Sequence, residues 1–265
     1  MMRKSPTKHL RAVARVCALC SVITCVYLFW FSGGTVVSLF PTASRKWRGI
    51  VLCAWARTIA RVAGMRISTQ GIPPRGAFLL VSNHLSYMDV VALASRLNCV
   101  FVAKSEVAHW PVIGLLCRSM KMIFIDRRRQ RSIPAALKGI EQMLASGSGV
   151  VLFAEGTSTG GAGVAPFRSS LLEFAARERI PVHFASLSYR TTPGEAPARE
   201  SVCWWGEMSF LKHLYALFML PGFDVILAFG KQPIQEHNRK VLARRLWSAV
   251  NAQFIPLENQ NSGNR

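Results

Sequence analysis

Residues 77–94 of the chain have the sequence AFLLVSNHLSYMDVVALA. The first five are apolar, in a run whose length suits a buried strand, and residues 90–94 have the apolar content of a helix packed on a sheet. His84 therefore lies where a predicted strand ends and a predicted helix begins, the edge at which open α/β sheets bind ligands. Residues five apart point roughly 140° apart around a helix. His84 and Asp89 can meet only if His84 precedes the helix and Asp89 lies in its first turn.

A histidine and a carboxylate that meet in this way form the core of a general base. One imidazole nitrogen would donate to Asp89, and the other would be left to accept a proton. The same spacing also has a structural explanation, because Ser86 and Asp89 match a capping box with Ser86 as the N-cap. Short motifs match by accident, so the segments downstream must decide between the two interpretations.

The charge of the chain indicates acidic partners. The 265 residues include 33 Lys and Arg against 13 Asp and Glu, for a net charge of +20. Such a balance suits an anionic membrane surface, phosphorylated substrates or nucleic acid. The apolar N-terminus and the lack of any zinc-finger, RRM or basic-zipper pattern argue against nucleic acid. The seven scattered cysteines predict thiols in a reducing compartment, and no His/Cys cluster has metal spacing, so we expect no metal or other cofactor.

The N-terminal region has the composition of a membrane anchor. No charged residue occurs between Arg15 and Arg45, and the apolar run over residues 16–40 is long enough to span a bilayer. Basic residues flank both ends, so the positive-inside rule gives no orientation, and a helix that dips into one leaflet is the alternative. Residues 46–63 predict a second, amphipathic helix with one basic sector, formed by Lys46, Arg57 and Arg61, and an apolar stripe, formed by Trp47, Ile50, Val51 and Ala54.

From residue 70 onward, strand-like and helix-like segments alternate. Strands are predicted near 77–81, 99–103, 122–125, 149–154, 182–188, 201–205 and 224–229, and helices near 86–96, 111–119, 132–146, 168–178, 209–219 and 236–254. This alternation is typical of an α/β domain with a largely parallel central sheet flanked by helices. We therefore expect membrane-docking helices over residues 1–66, a catalytic domain over 70–256 and a disordered tail over 257–265.

Polar and cationic residues follow several of the predicted strands. An apolar strand that ends in Asp126 and Arg127 puts a guanidinium fork, which suits phosphate, at a strand end. The next strand is followed by Glu155, Gly156 and small hydroxyl residues. No Gly-Lys-Ser/Thr follows these glycines, so a nucleotide site is not expected, and no Gly-x-Ser-x-Gly elbow indicates a serine hydrolase.

Four blocks of residues now stand in a recognisable order. They are Asn83-His84-x4-Asp89, Phe124-Ile125-Asp126-Arg127, Phe153-x-Glu155-Gly156-Thr157 and Ile180-Pro181-Val182. Together with the apolar N-terminus, they resemble the glycerolipid acyltransferase family, typified by the 1-acyl-glycerol-3-phosphate acyltransferases. The resemblance covers residues 70–235, most of the chain.

The resemblance implies a mechanism and a set of site residues. His84 would remove a proton from the acceptor hydroxyl, and Asp89 would orient the imidazole. The acceptor oxygen would attack the thioester of acyl-CoA or acyl-ACP directly. Other residues would hold the acceptor's phosphate and glycerol: Lys104, Arg127, Glu155, Gly156 and Thr157, with Arg168 as a further cation. Pro181 would belong to the acyl-donor or chain-binding region.

Two departures from the family pattern affect the predicted acceptor. Ser158 follows Thr157, where the commoner third block has an arginine that binds phosphate, and Ala154 replaces the usual proline. The leading acceptor is 1-acyl-glycerol-3-phosphate, and the alternative is a lyso-ornithine lipid or another lysophospholipid. Two further hypotheses are a thioesterase and a catalytically inactive membrane lipid-binding protein. In each case we expect an anionic membrane surface as a partner and a domain that faces the cytoplasm, at the inner membrane in a bacterium.

Overall fold

The structure, a computed structural model, describes residues 6–37, 41–126, 129 and 131–257. Its helices are α1 Pro6–Val37, α2 Pro41–Ala63, α3 Met88–Ala94, α4 Ile113–Ser119, α5 Ser132–Ala145, α6 Glu173–Arg177, α7 Ala198–Ser201, α8 Phe210–Met219 and α9 Arg239–Gln253. Its strands are β1 Met65–Gln70, β2 Leu79–Ser82, β3 Cys99–Lys104, β4 Ile123–Ile125, β5 Gly149–Phe153, β6 Val182–Thr191 and β7 Phe223–Phe229. Apart from Leu257, the predicted C-terminal tail lies outside the described residues.

The seven strands form one sheet in the order β1-β7-β6-β2-β5-β3-β4. Strand β2 is central and runs parallel to both neighbours, β5 and β6. Only the β6–β7 pair is antiparallel among the described strands, so β1 and β7 run against the rest. The prediction of a largely parallel sheet flanked by helices is confirmed. Because parallel strands end at the same edge, the residues after β2 and β5 lie side by side.

The alternation of side chains along β2 explains its central place. Leu80 points to a core built with α2, α3 and α8. Leu79 and Val81 point to the opposite core, built with α5, α6 and α9. Every residue of β2 is buried, as expected for a strand covered by helices on both faces.

Two strand predictions differ from the structure. The predicted strand at 201–205 is wrong, because α7 ends at Ser201 and the chain then turns without strand pairing. Its apolar residues Val202 and Cys203 are buried by packing instead. Strand β1 has no counterpart among the predicted strands, because it lies at the sheet edge with mostly exposed residues and so lacks an apolar run.

The two N-terminal helices pack against each other, and α1 also packs against α8. Lys8 near the start of α1 pairs with Glu195 at 2.7 Å, and Arg15 donates to the carbonyl of Leu220 at 2.7 Å. Farther along, the Tyr27 hydroxyl donates to the carbonyl of Val112 at 2.9 Å. Among the described residues, the segment Pro6–Trp30 is long and apolar enough to cross a membrane.

Helix α2 is amphipathic, but its buried face is not the predicted stripe. Val51 is buried, whereas Ile50 is 62% exposed and Ala54 is exposed on the same side as Lys46. Small and branched residues occupy the buried face of α2, because α1 and α3 pack closely there. These residues include Ala56, Ile59, Ala60 and Ala63.

Candidate functional site

The site begins with the loop that joins β2 to α3. Asn83 is buried, and its side chain pairs with the backbone of Leu187 in β6: the amide Nδ2 donates to the carbonyl at 2.9 Å, and Oδ1 accepts from the N–H at 2.8 Å. This pairing extends the β2–β6 ladder through a side chain. It fixes the residue that directly precedes His84.

Asp89 lies in the first turn of α3 and is fully buried. Its Oδ2 accepts from His84 Nδ1 at 2.7 Å and from the backbone N–H groups of Leu85 and Ser86 at 2.6 Å and 3.0 Å. The hydroxyl of Tyr189 donates to Oδ1 at 2.5 Å. One carboxylate therefore both fixes the loop before α3 and holds the imidazole.

The imidazole of His84 is held in an orientation that suits a base. A carboxylate accepts at Nδ1, so Nδ1 carries the hydrogen and Nε2 presents its lone pair. The side chain remains 19% exposed, and its ring stacks on Phe153 with centroids 4.1 Å apart. Nε2 has no hydrogen-bond partner in the part of the chain that the structure describes. The arrangement can therefore remove a proton from a hydroxyl that approaches Nε2.

Glu155 follows β5 and ties two loops together. Its Oε1 accepts from the backbone N–H of His84 at 2.6 Å, and its Oε2 accepts from that of Ala165 at 2.8 Å. The pKa of Glu155 is raised to about 7: burial raises it most, the two N–H groups lower it, and the charge of Asp89 raises it. Glu155 thus positions the backbone of His84. Its predicted contact with the acceptor stays a prediction.

The raised pKa of Glu155 predicts a pH-dependent effect of Glu155→Gln on stability. Between a pH of about 4.5 and about 7, the folded chain keeps a proton on Glu155 that the unfolded chain has lost. The free energy of unfolding therefore falls by about 3 kcal/mol as pH rises through this window, and the variant lacks this fall. The melting temperature of Glu155→Gln should lie farther below that of the native chain near pH 5 than near pH 8. An equal gap at both pH values would contradict the assignment, and exposed Glu200→Gln is the control.

Four other predicted residues lie in the loop after β5 or at the end of β3. Gly156 has a φ of +81°, and a Cβ there would lie 2.8 Å from Nε of Arg168, so glycine lets this guanidinium approach the loop. Thr157 is exposed in the same loop. Lys104 ends β3 and pairs with Glu106 at 2.9 Å, which lowers the pKa of the Glu106 carboxyl to about 2.

The predicted roles of Pro181 and Arg127 stay predictions. Pro181 directly precedes β6, whose first residue is level with Leu79, so it lies toward the opposite edge of the sheet from His84. The structure does not bring Pro181 and His84 together. Arg127 lies outside the described residues, just beyond Asp126.

Tyr189 is a site residue that the sequence does not reveal. It lies in β6, is fully buried, and bonds to Asp89 across about 100 positions of sequence. The signal in the sequence is a tyrosine directly after the predicted strand at 182–188. If that tyrosine is buried, its hydroxyl needs a hydrogen-bond partner, because buried hydroxyls are usually hydrogen-bonded.

Replacing Tyr189 by phenylalanine should loosen Asp89 without removing it. We expect kcat to fall about tenfold, because the carboxylate loses one of its four donors, while KM for the acceptor changes by less than about twofold. Steady-state kinetics of the purified variant give both values. A change confined to KM would place Tyr189 in substrate binding instead.

The chain is similar to known acyltransferases. The family model described as "Acyltransferase" matches residues 65–188. The lyso-ornithine lipid O-acyltransferase of Brucella abortus is 33% identical over 228 residues, 81% of this chain and 85% of the relative. The enzyme of the same name from Rhizobium meliloti is 31% identical and covers 74% of this chain and 72% of its own length. The 1-acyl-sn-glycerol-3-phosphate acyltransferase of Neisseria gonorrhoeae is 30% identical over 52% of this chain and 57% of its own length.

A solved structure has the same fold. The crystal structure of the 1-acyl-sn-glycerophosphate acyltransferase PlsC from Thermotoga maritima aligns with a TM-score of 0.62 over 91% of this chain and 97% of that chain. Its sequence is 19% identical, so the likeness concerns the fold alone.

Proposed function

The chain belongs to the glycerolipid acyltransferase family and is an acyltransferase; we propose that it transfers a fatty acyl chain from a thioester donor to the hydroxyl of a lyso-ornithine lipid. The observation that carries the chemistry is the 2.7 Å bond between His84 Nδ1 and the buried carboxylate of Asp89. This bond leaves the lone pair of Nε2 free to accept a proton, on a side chain that is partly exposed to solvent.

The proposed reaction is a direct transfer. Nε2 of His84 takes the proton of the acceptor hydroxyl as the hydroxyl oxygen attacks the thioester carbonyl carbon. The charge that develops on the imidazole is stabilised by Asp89, which is already bonded to Nδ1. The carbon–sulfur bond then breaks, and the departing thiolate receives the proton from Nε2. The products are the acylated lipid and the free thiol of the carrier.

Acyl-CoA and acyl-ACP both fit the donor role. Each carries the thioester that the reaction consumes, and no cofactor is needed. The phosphates of CoA and the acidic surface of an acyl carrier protein would both be attracted by a chain with a net charge of +20. Supplying each donor separately distinguishes them.

The lyso-ornithine acceptor is supported by two kinds of observation. Relatives that bear this activity in their names cover most of the chain at 31–33% identity. The third motif has Ser158 in place of an arginine, and Lys104 is paired with Glu106. Fewer unpaired cations suit a headgroup whose carboxylate is balanced by its own ammonium group better than a phosphomonoester.

A second acceptor, 1-acyl-glycerol-3-phosphate, is favoured by Arg168. Its guanidinium lies against Gly156 in the third motif, where it could contact a phosphate. The acyltransferase from Neisseria gonorrhoeae, named for this substrate, is 30% identical over about half of the chain.

The test is a lysolipid panel with the purified full-length protein in mixed micelles. Labelled acyl-CoA and acyl-ACP are each supplied with lyso-ornithine lipid, 1-acyl-glycerol-3-phosphate or 1-acyl-phosphatidylcholine. Selective acylation of lyso-ornithine lipid supports the proposal, whereas selective acylation of 1-acyl-glycerol-3-phosphate moves the acceptor. Fatty acid release without any acceptor would indicate a thioesterase, and no transfer at all would favour a lipid-binding protein without catalytic activity.

We further propose that the N-terminal helices enter one leaflet and that the catalytic domain faces the cytoplasm. Lys8 and Tyr27 both bond to the catalytic domain, and the 19 residue steps from one to the other extend about 28 Å along a helix. That part of α1 therefore lies along the domain. The ten residues from Tyr27 to Val37 add only about 15 Å, half of a hydrocarbon core of about 30 Å.

Cysteine labelling tests this arrangement. Ser38→Cys is made in a chain whose Cys17, Cys20 and Cys25 are serine, and the protein is reconstituted with the catalytic domain outside the vesicle. An impermeant maleimide sealed in the lumen should leave Ser38→Cys unlabelled. Labelling from the lumen would mean that the helices cross the bilayer. Thr7→Cys, labelled from outside, is the control.

A further inference from the structure

Three arginines surround a cavity of about 300 Å³ between α2, the end of α3 and β1. Arg57 and Arg61 lie one turn apart on α2, and Arg96 follows α3. We call this space the arginine cavity; its remaining lining comes from Ala60, Met65, Ile67 and Ser95. It lies at the end of α3 away from Asp89, so it is separate from the catalytic base.

Two of the three guanidinium groups are fixed by backbone carbonyls. Nε of Arg57 donates to the carbonyl of Ser95 at 3.2 Å, and Nη2 of Arg96 donates to that of Ile67 at 3.3 Å. A guanidinium has five N–H donors, so each group keeps donors for a ligand. Fixing the side chains beforehand lowers the entropy cost of binding.

The cavity has positive charge without a matching carboxylate. In the part of the chain that the structure describes, no ion pair involves Arg57, Arg61 or Arg96. Neighbouring Arg66, by contrast, pairs with Asp224. Like charges four residues apart on a helix repel each other, so an anion in the cavity would relieve a cost that the empty site carries.

The exposed face of α2 indicates which kind of anion the cavity would bind. Along the helix this face presents Lys46, Ile50, Ala54, Arg57 and Arg61. Ile50 is 62% exposed, and the neighbouring helix α1 exposes Leu28 and Phe29. Beyond Lys46 this face runs from the apolar side chains of Ile50 and Ala54 to the two arginines, an order that fits the boundary between acyl chains and lipid headgroups.

We propose that the arginine cavity binds the phosphate of an anionic phospholipid headgroup. A planar guanidinium can donate two hydrogen bonds to one phosphate, and three such groups around one cavity give a discrete, saturable site. The bound lipid joins α2 to α3 and β1, so it fixes the catalytic domain relative to the bilayer. This site is additional to acyl transfer and does not depend on it.

The test is lipid binding by the full-length protein in neutral detergent, with native mass spectrometry as the readout. The probes are phosphatidylglycerol and phosphatidylcholine. We expect one phosphatidylglycerol to be retained in preference to phosphatidylcholine, and Arg57→Gln, Arg61→Gln and Arg96→Gln each to weaken that binding about fivefold. Lys46→Gln removes the same charge from the same face of α2 outside the cavity and should weaken it less than about twofold.

Arg61→Gln keeps the test valid if the other variants fail to fold. The Arg61 side chain is exposed and makes no hydrogen bond to any other described residue, so its replacement removes charge without breaking a bond within the fold. An equal loss in Lys46→Gln would overturn the proposal, because it would mean diffuse attraction to the whole basic face.

Competition experiments distinguish a lipid phosphate from the phosphate of a soluble molecule. Neither inorganic phosphate nor free CoA should displace phosphatidylglycerol at equal concentration, and displacement by either would overturn the assignment to a lipid. The His84→Ala protein should retain the lipid as the native chain does. Lipid binding and acyl transfer can therefore fail independently.

Discussion

Replacing His84 by alanine should lower kcat for acyl transfer about a thousandfold. A positioned general base contributes about 10²–10⁴-fold to a proton-transfer step. The loss should fall on kcat more than on KM, because the imidazole acts on the hydroxyl proton in the transition state. Steady-state rates with labelled donor and the preferred lysolipid provide the measurement.

The variant should fold normally. The side chain of His84 is partly exposed, and the backbone N–H that holds Glu155 is kept. The melting temperature should therefore change by no more than a few degrees. Exposed His109→Ala is the matched control and should keep full activity. A His84→Ala protein that transfers acyl chains at the native rate would exclude the dyad as the catalytic base.

Replacing Asp89 by asparagine should damage both activity and stability. Four donors point at the carboxylate: His84 Nδ1, Tyr189 Oη, and the backbone N–H groups of Leu85 and Ser86. The asparagine amide nitrogen cannot accept, so at least one buried donor loses its partner, at a cost of about 2–4 kcal/mol. If the imidazole then adopts its other tautomer, Nε2 carries the hydrogen, and kcat should fall about 10³–10⁴-fold.

Thermal melting and kinetics of Asp89→Asn measure the two effects. The control is Asp224→Asn, which removes a surface carboxylate paired with Arg66 and should cost less than about 1 kcal/mol. Normal stability together with normal kcat in Asp89→Asn would show that the observed hydrogen bonds do not support the base.

Much of the sheet could be predicted from the sequence, because most of its strands are short apolar runs bounded by polar residues. Strand β2 and its junction with α3 are of this kind. Strand β1 could not be predicted in this way, because an edge strand needs no such run. The segment at 201–205 resembles a strand in sequence because apolar residues buried by packing look like those buried by pairing.

The candidate site divides in the same way. His84 and Asp89 lie only five residues apart at a strand–helix junction, so the sequence alone was enough to predict that they could meet. Tyr189 and the backbone partners of Glu155 could not be predicted, because these bonds join segments that meet only when the sheet and its loops have formed.

The sequence by itself determined the α/β class, the strand–helix junction that carries His84, and the family to which the four motif blocks belong. These are local properties, set by the period of apolar residues and by short spacings. Only the tertiary structure decided that Asp89 has four donors, that Glu155 holds the backbone of His84, and that Arg96 lies with Arg57 and Arg61 around one cavity. Those contacts depend on the order in which strands and helices pack, and that order follows from burying the whole apolar surface at once.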